Sequence, residues 1–285
     1  MDLYIIFALL YAVIIGVYNV FRKKAVEKSS ESTILFLFNG VAFLCSLIWL
    51  PFGVAIPSEF VWIFVLKGFL LTLNWYIVLK VLRDADVSLV SLTTIISSVL
   101  TLSIGVFGFG ESATILQFAG AVIVIIGAFL INLINKNATG KVNIAQIGLL
   151  LVSAIISSVS NIIDKYTTTH LESHQVQFWF LLFTFVFSTI FFIIECVKSK
   201  KFLLQKTDFK NFWIYLVGIG LFVADMFLFL AYKMPGSQMI IITSITKFKV
   251  VVTVILGVFV FKEKNILKKV LISLLMFAGI LMLSL

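Results

Sequence analysis

The chain has 285 residues, of which 61% are hydrophobic and only 12% are charged, and its mean hydropathy is +1.17. A soluble domain carries roughly 25% charged residues, so this composition excludes a water-soluble fold and predicts a polytopic membrane protein. The net charge of +9 comes from basic residues clustered between apolar segments, a pattern that indicates membrane topology rather than nucleic-acid binding.

Ten segments are apolar enough to span a bilayer, because a spanning helix needs about 20 apolar residues. We therefore predict an all-α fold with ten transmembrane helices, at residues 3–22, 33–53, 59–82, 86–109, 112–133, 143–165, 175–197, 210–232, 237–261 and 265–284. The linker around Gly140 divides them into two five-helix units, residues 1–134 and 143–285.

The two units resemble each other in sequence. Residues 19–23 match 161–165 at an offset of 142, Asn74 corresponds to Asp225 at an offset of 151, and residues 91–112 match 243–264 at an offset of 152. Since each unit has an odd number of helices, equivalent helices must cross in opposite directions. The pattern predicts an inverted repeat, which is typical of secondary transporters.

The distribution of basic residues gives an orientation. The loops on one side of the predicted membrane carry 17 Lys and Arg residues, Arg22 among them, and the loops on the other side carry Lys165 and Lys233 only. By the positive-inside rule, the richer side is cytoplasmic, and both termini are external. We expect a multi-pass protein of the cell membrane that is a monomer or a homodimer.

Two lysines, Lys247 and Lys249, lie near the middle of the predicted span 237–261. A charge at that depth is costly and by default marks a functional site. Lys249 borders a polar face formed by Thr243, Thr246 and Thr253, and we predict that it contacts substrate.

Lys247 and Asp225 leave two interpretations open. An antiparallel neighbour would bring Asp225 level with residue 246, so the two side chains could form a buried ion pair that only fixes packing. Alternatively, a substrate anion could displace Asp225 from a lysine, which would make both residues part of the site.

Further polar residues recur at corresponding positions of the two units. Such residues can serve as hydrogen-bonding contacts between helices, but the repetition of whole stripes favours a shared cavity. The candidate substrate-binding residues are Lys249, Asp225, Lys247, Asn74, Tyr76, Asn19, Asn161, Thr94, Ser97 and Thr246.

The chain resembles the drug/metabolite transporter superfamily in its ten-helix EamA-like form. The resemblance covers nearly the whole chain and rests on the two five-helix units and on the Gly, Phe and Glu residues at Gly105, Phe107 and Glu111 and at Gly257, Phe259 and Glu263. It implies a central cavity between the units. The segment from Lys247 to Val252 also resembles the Lys-Arg-Val-Val-Val segment of triose-phosphate and nucleotide-sugar translocators, with Val250 in place of the second basic residue.

These observations favour a secondary transporter that moves a small polar or anionic metabolite by alternating access. No P-loop motif is present, so ATP-driven pumping by this chain is not expected. The alternatives are an exporter or importer of amino acids or drug-like compounds, and a membrane-embedded transferase. We predict no enzymatic activity and no cofactor, because the 13 acidic residues and two histidines are scattered along the chain. We predict no metal site, because His170 and His174 lack a third ligand nearby in sequence.

Overall fold

The structure, a computed structural model, describes residues 2–26, 29–84, 114–135, 144–261 and 266–283. Within these ranges it is helical and contains no strand. The helices are α1 (Leu3–Val26), α2 (Glu31–Ser46), α3 (Ser58–Asp84), α4 (Ile115–Asn135), α5 (Ile144–His170), α6 (Ser173–Ser199), α7 (Phe212–Lys233), α8 (Met239–Thr246), α9 (Phe248–Phe261) and α10 (Ile266–Leu283).

Six of the described helical stretches are long and apolar enough to cross a membrane: Leu3–Val26, Glu31–Phe52, Ser58–Val81, Gly148–His170, Ser173–Ser199 and Phe212–Lys233. The stretch Glu31–Phe52 is α2 continued by the 3-10 helix Leu47–Phe52. The prediction of an all-α polytopic membrane protein is thus supported, whereas the count of ten spans remains a prediction. The predicted span 86–109 lies outside the described residues.

The predicted continuous span 237–261 is instead divided at Lys247 into α8 and α9. In an α-helix the Lys247 amide would bond the Thr243 carbonyl. Here the Thr246 hydroxyl donates to the Thr243 carbonyl at 2.8 Å, and the Lys247 amide donates to the Ser244 carbonyl at 3.1 Å. The side-chain hydroxyl therefore competes with the backbone, a known cause of helix distortion, and the chain takes a tight turn at the lysine.

Close glycine contacts reveal how the two halves correspond. A Cβ atom on Gly68 of α3 would lie 2.6 Å from Phe183 Cβ of α6, and a Cβ atom on Gly218 of α7 would lie 2.6 Å from Val41 Cβ of α2. Gly218 is 150 positions after Gly68, and Phe183 is 142 positions after Val41. The α3–α6 contact in one half is thus repeated by the α7–α2 contact.

The contact between α4 and α10 has the same reciprocity. An added Cβ on Gly127 would collide with Met276 Cγ, and one on Gly279 would meet Val124 Cγ2 at 3.0 Å. Gly127 and Val124 lie 152 positions before Gly279 and Met276, respectively. Reciprocal pairing of this kind is the signature of a two-fold relation between two units.

A substitution at one of these glycines tests the packing. We expect Gly218→Ala to destabilise the protein by about 1–3 kcal/mol, because the new methyl group would overpack against Val41 and the Phe38 carbonyl, 2.7 Å away. Gly148→Ala is the control, since a Cβ there meets nothing within 4 Å. Thermal unfolding of the purified protein in detergent measures both, and equal melting temperatures would contradict the tight α2–α7 contact.

Candidate functional site

Charged side chains from five helices meet inside the structure. We call the group formed by Arg22 (α1), Lys67 (α3), Asp164 (α5), Asp225 (α7), Lys247 (between α8 and α9) and Lys249 (α9) the central charged cluster. All are buried except Lys249, which is half-buried. Charged groups inside a membrane protein are expensive and usually functional.

One part of this cluster is a closed ion pair. The Lys67 ammonium donates to the Asp164 carboxylate, and the lysine side chain is only 1% exposed. The same ammonium lies 4.1 Å from the centroid of the Phe180 ring and 4.9 Å from that of Phe229, where each ring face attracts a cation. Lys67 therefore joins α3, α5, α6 and α7 and has a satisfied environment.

Asp225 has a different environment. Its carboxylate is within electrostatic range of Lys67, Asp164 and Lys249, yet its Oδ2 atom is buried and has no hydrogen-bond partner among the described residues. Tyr11 of α1 also faces this carboxylate. A buried acceptor without a partner is uncommon in folded proteins and requires an explanation.

Lys249 is one of two lysines whose charges act on Asp225, and the other is Lys67. The charge of Lys249 interacts with Asp225 and with Arg22, and its side chain forms no hydrogen bond or ion pair within the described parts of the chain. Lys249 thus remains available to a ligand while Asp225 lies nearby.

The expected pairing of Lys247 with Asp225 is not found in the described structure. Lys247 is 5% exposed, and the charged neighbour that acts on it is Lys249. The physical reason is the helical spacing, because residues two apart point to different sides of a helix, and Lys249 is the one of these two lysines whose charge acts on Asp225. The carboxylate expected to balance Lys247 instead lies beside Lys249, and the ion pair in this region is Lys67–Asp164.

Asn19 and Asn74 link helices on opposite sides of the cluster. Asn19 of α1 donates to Thr253 Oγ1 of α9 at 3.2 Å, beside Gly16, whose carbonyl accepts from the same threonine at 3.1 Å. Asn74 of α3 donates to Ser157 Oγ of α5 at 3.1 Å and accepts from Ser153. Members of the predicted polar stripes therefore form hydrogen bonds within two helix pairs, α1–α9 and α3–α5.

The remaining candidates are placed as follows. Asn161 is half-buried on α5, and the Thr246 hydroxyl is used within the turn before Lys247. The Tyr76 hydroxyl donates to Glu195 Oε1 of α6 at 2.7 Å, so the structure does not bring it to the central charged cluster, and its role as a substrate contact stays a prediction. Thr94 and Ser97 lie outside the described residues.

Sequence reasoning missed the position of Arg22. It was counted among the loop residues that set the topology, but it lies within α1 and is 7% exposed. Its Nε and Nη2 atoms are buried and have no partner in the described residues. The available signal was its position three residues after Asn19, on the same helix face.

The described residues contain no group of three metal-ligating side chains. His170 bonds the Tyr166 carbonyl at 2.8 Å and His174 bonds the Gly53 carbonyl at 3.0 Å, so the two rings have separate structural roles. The site is thus built from ammonium, guanidinium, carboxylate and amide groups, which can bind and orient a polar solute.

Comparisons with known proteins agree with this architecture. The crystal structure of another protein aligns with this chain with a TM-score of 0.77 at 14% sequence identity. The alignment covers 99% of this chain and 98% of the other. No relative was found among the curated proteins.

The family comparison covers both halves. The family model for EamA-like transporters matches residues 2–133 and again residues 145–285, so nearly the whole chain is accounted for by two copies of one unit. Such proteins move small molecules across membranes. The chain is a multi-pass membrane protein that belongs to the EamA-like transporter family.

Proposed function

We propose that this protein is a secondary transporter that moves a small polar or anionic metabolite by alternating access through a cavity between its two halves. Lys249 is the principal substrate contact and Asp225 is its resident counter-ion. The observation that carries the proposal is a half-buried lysine within electrostatic range of a buried carboxylate, where neither the lysine nor the carboxylate Oδ2 atom has a hydrogen-bond partner among the described residues.

The helix break supports the location of the site. Secondary transporters commonly bind substrate where a membrane helix is interrupted, because the interruption frees backbone groups and allows the two helix segments to move. Here α8 ends at Thr246 and α9 begins at Phe248, immediately before Lys249. Asn19 ties α9 to α1, so movement of α9 would carry α1 with it.

The repeat supports the mechanism. The reciprocal glycine contacts relate residues 1–134 to residues 143–285, and an inverted relation between these units would give two equivalent ways of closing the cavity. With both termini external, the larger group of basic loop residues would face the cytoplasm. Asn161 of α5 and Thr94 and Ser97 of the preceding unit are proposed to complete the cavity lining.

Lys249→Gln tests the proposed contact. We expect at least about a tenfold loss of substrate-induced signal, because a hydrogen bond to a charged group contributes about 1.5–3 kcal/mol. The purified protein is reconstituted in liposomes, and transient currents on a solid-supported membrane are recorded with malate, glucose 6-phosphate, glutamate, alanine and glucose.

Lys201→Gln is the matched control, because Lys201 is exposed in the loop after α6. A Lys249→Gln variant with wild-type currents would contradict the site. Currents that rise linearly without saturation would instead indicate a channel, and currents with alanine alone would favour the amino-acid alternative.

A further inference from the structure

We infer that Arg22 and Lys249 form a two-cation site for a small organic molecule that carries two negative charges. This inference rests on the proposed function and specifies its substrate class. It starts from Arg22, whose guanidinium is buried in α1 and whose Nε and Nη2 atoms have no hydrogen-bond partner in the described parts of the chain.

The Nε and Nη2 atoms of Arg22 have the geometry that binds an anionic group with two oxygens. In a guanidinium group, the Nε–H bond and one Nη2–H bond point in the same direction and form a fork. This fork matches the spacing of two oxygens on a carboxylate or a phosphate group. Tyr18, one turn earlier, already interacts with Arg22, so the side chain is held while the fork is left open.

The repeat explains why Arg22 lacks an acidic partner. Arg22 corresponds to Asp164 at the offset of 142 found for these helices. Asp164 is neutralised by Lys67 of α3, but the position in α7 that corresponds to Lys67 is Val217 or Gly218, at an offset of 150 or 151. Within the described residues, one half therefore contains a closed ion pair, and the other half contains at the equivalent place a cation that forms no ion pair.

The charge balance points to a dianion. The central charged cluster contains four cations, Arg22, Lys67, Lys247 and Lys249, and two carboxylates, Asp164 and Asp225, so its formal charge is +2. Residues 87–110, which lie outside the described residues, contain no charged side chain in the sequence. A ligand with two negative charges would neutralise the cluster, whereas a zwitterion would leave the excess uncompensated.

Lys249 is near enough to both Arg22 and Asp225 for their charges to interact. An anionic group held by the Arg22 fork would therefore also reach the field of Lys249. Asp225 would keep Lys249 from binding the ligand too tightly to release it.

The first measurement uses the protein without ligand. A buried cation without an ion pair destabilises the folded state because its charge is desolvated. Arg22→Gln removes that charge and should therefore leave the melting temperature unchanged or raise it by about 3 °C or more. Lys67→Gln is the matched control, because it breaks a closed pair and should lower the melting temperature. A fall in Arg22→Gln equal to that in Lys67→Gln would show that the guanidinium is structural and would overturn the inference.

The second measurement uses defined ligands at constant ionic strength. Malate and glucose 6-phosphate are the two dianionic probes, lactate is the monoanion and glucose is the neutral probe. At least one dianion should raise the wild-type melting temperature more than lactate or glucose, and Arg22→Gln should weaken its Kd by at least about tenfold. Lys201→Gln should bind as the wild type does.

The two dianions distinguish a dicarboxylate substrate from a phosphate ester. If neither dianion stabilises the wild type, or if lactate or glucose does so equally well, the substrate class is wrong. In that case saturable liposome currents with lactate, glucose or alanine would leave the proposed transport function standing. The absence of currents with every probe would count against the function as well.

Discussion

Lys67→Met is expected to prevent the accumulation of correctly folded protein. Lys67 is 1% exposed, and its ammonium is the partner of the buried Asp164 carboxylate. Loss of one member of a buried ion pair leaves the other charge uncompensated, at a cost of about 3–5 kcal/mol. Because the free energy of unfolding of a protein is only about 5–15 kcal/mol, this single change removes a large part of it.

A double variant separates the charge effect from the packing effect. In Lys67→Met/Asp164→Leu, both charges are replaced by apolar side chains of similar size, and such replacements are often neutral or stabilising. We therefore expect the double variant to regain most of the lost stability. Transport by the double variant should still be impaired, because the charges of Lys67 and Asp164, which both act on Asp225, are removed.

Size-exclusion chromatography and thermal unfolding in detergent measure both variants. Lys80→Met is the control, because Lys80 lies on the same helix and is exposed. A Lys67→Met protein that elutes and melts as the wild type does would mean that Asp164 does not depend on Lys67. A double variant as unstable as the single one would assign the loss to packing on Phe180 and Phe229 instead.

Asp225→Asn should reduce substrate turnover by about 100-fold while binding becomes equal or tighter. The substitution removes a negative charge beside Lys249, so an anion meets less repulsion and is held more strongly. A transporter must also release its substrate, and loss of the counter-ion leaves Lys249 without a partner in the empty state. The return step of the empty carrier should therefore become slow.

This split between binding and turnover distinguishes a counter-ion from a packing residue. The Kd of malate or glucose 6-phosphate is measured by thermal shift, and turnover is measured as exchange in liposomes. Because Asp225 Oδ2 has no partner among the described residues, Asn at this position should cost little stability. Weaker anion binding in Asp225→Asn would contradict the assigned role, and a large drop in melting temperature would indicate a structural one.

The ninth predicted span shows where a local pattern stops being informative. Its composition correctly indicated helical structure. The distortion at Lys247 depends on whether the Thr246 hydroxyl donates to the Thr243 carbonyl, and hydropathy contains no information about that choice. Two lysines separated by two residues point to different sides of a helix, and only the packing of the helices decided that Lys249, and not Lys247, is within electrostatic range of Asp225.

The burial of Arg22 also could not be predicted from its position in the sequence. Basic residues at helix ends usually lie in loops or reach the membrane surface, so the count of topology residues included it. Only the packing of α1 against α7 and α9 places this residue inside the protein. Tyr76 was a candidate by proximity in sequence to Asn74, but a separation of two residues turns it toward Glu195 of α6.

By itself, the sequence determined that this protein is helical, membrane-embedded and built from two related units, because hydropathy and repetition depend on residue order alone. It also identified the residues whose charge would be costly inside a membrane. The tertiary structure decided which of these charges neutralise each other. That outcome depends on helix rotation, which pairs Asp164 with Lys67 and brings Arg22 and Asp225 within electrostatic range of Lys249 at the proposed substrate site.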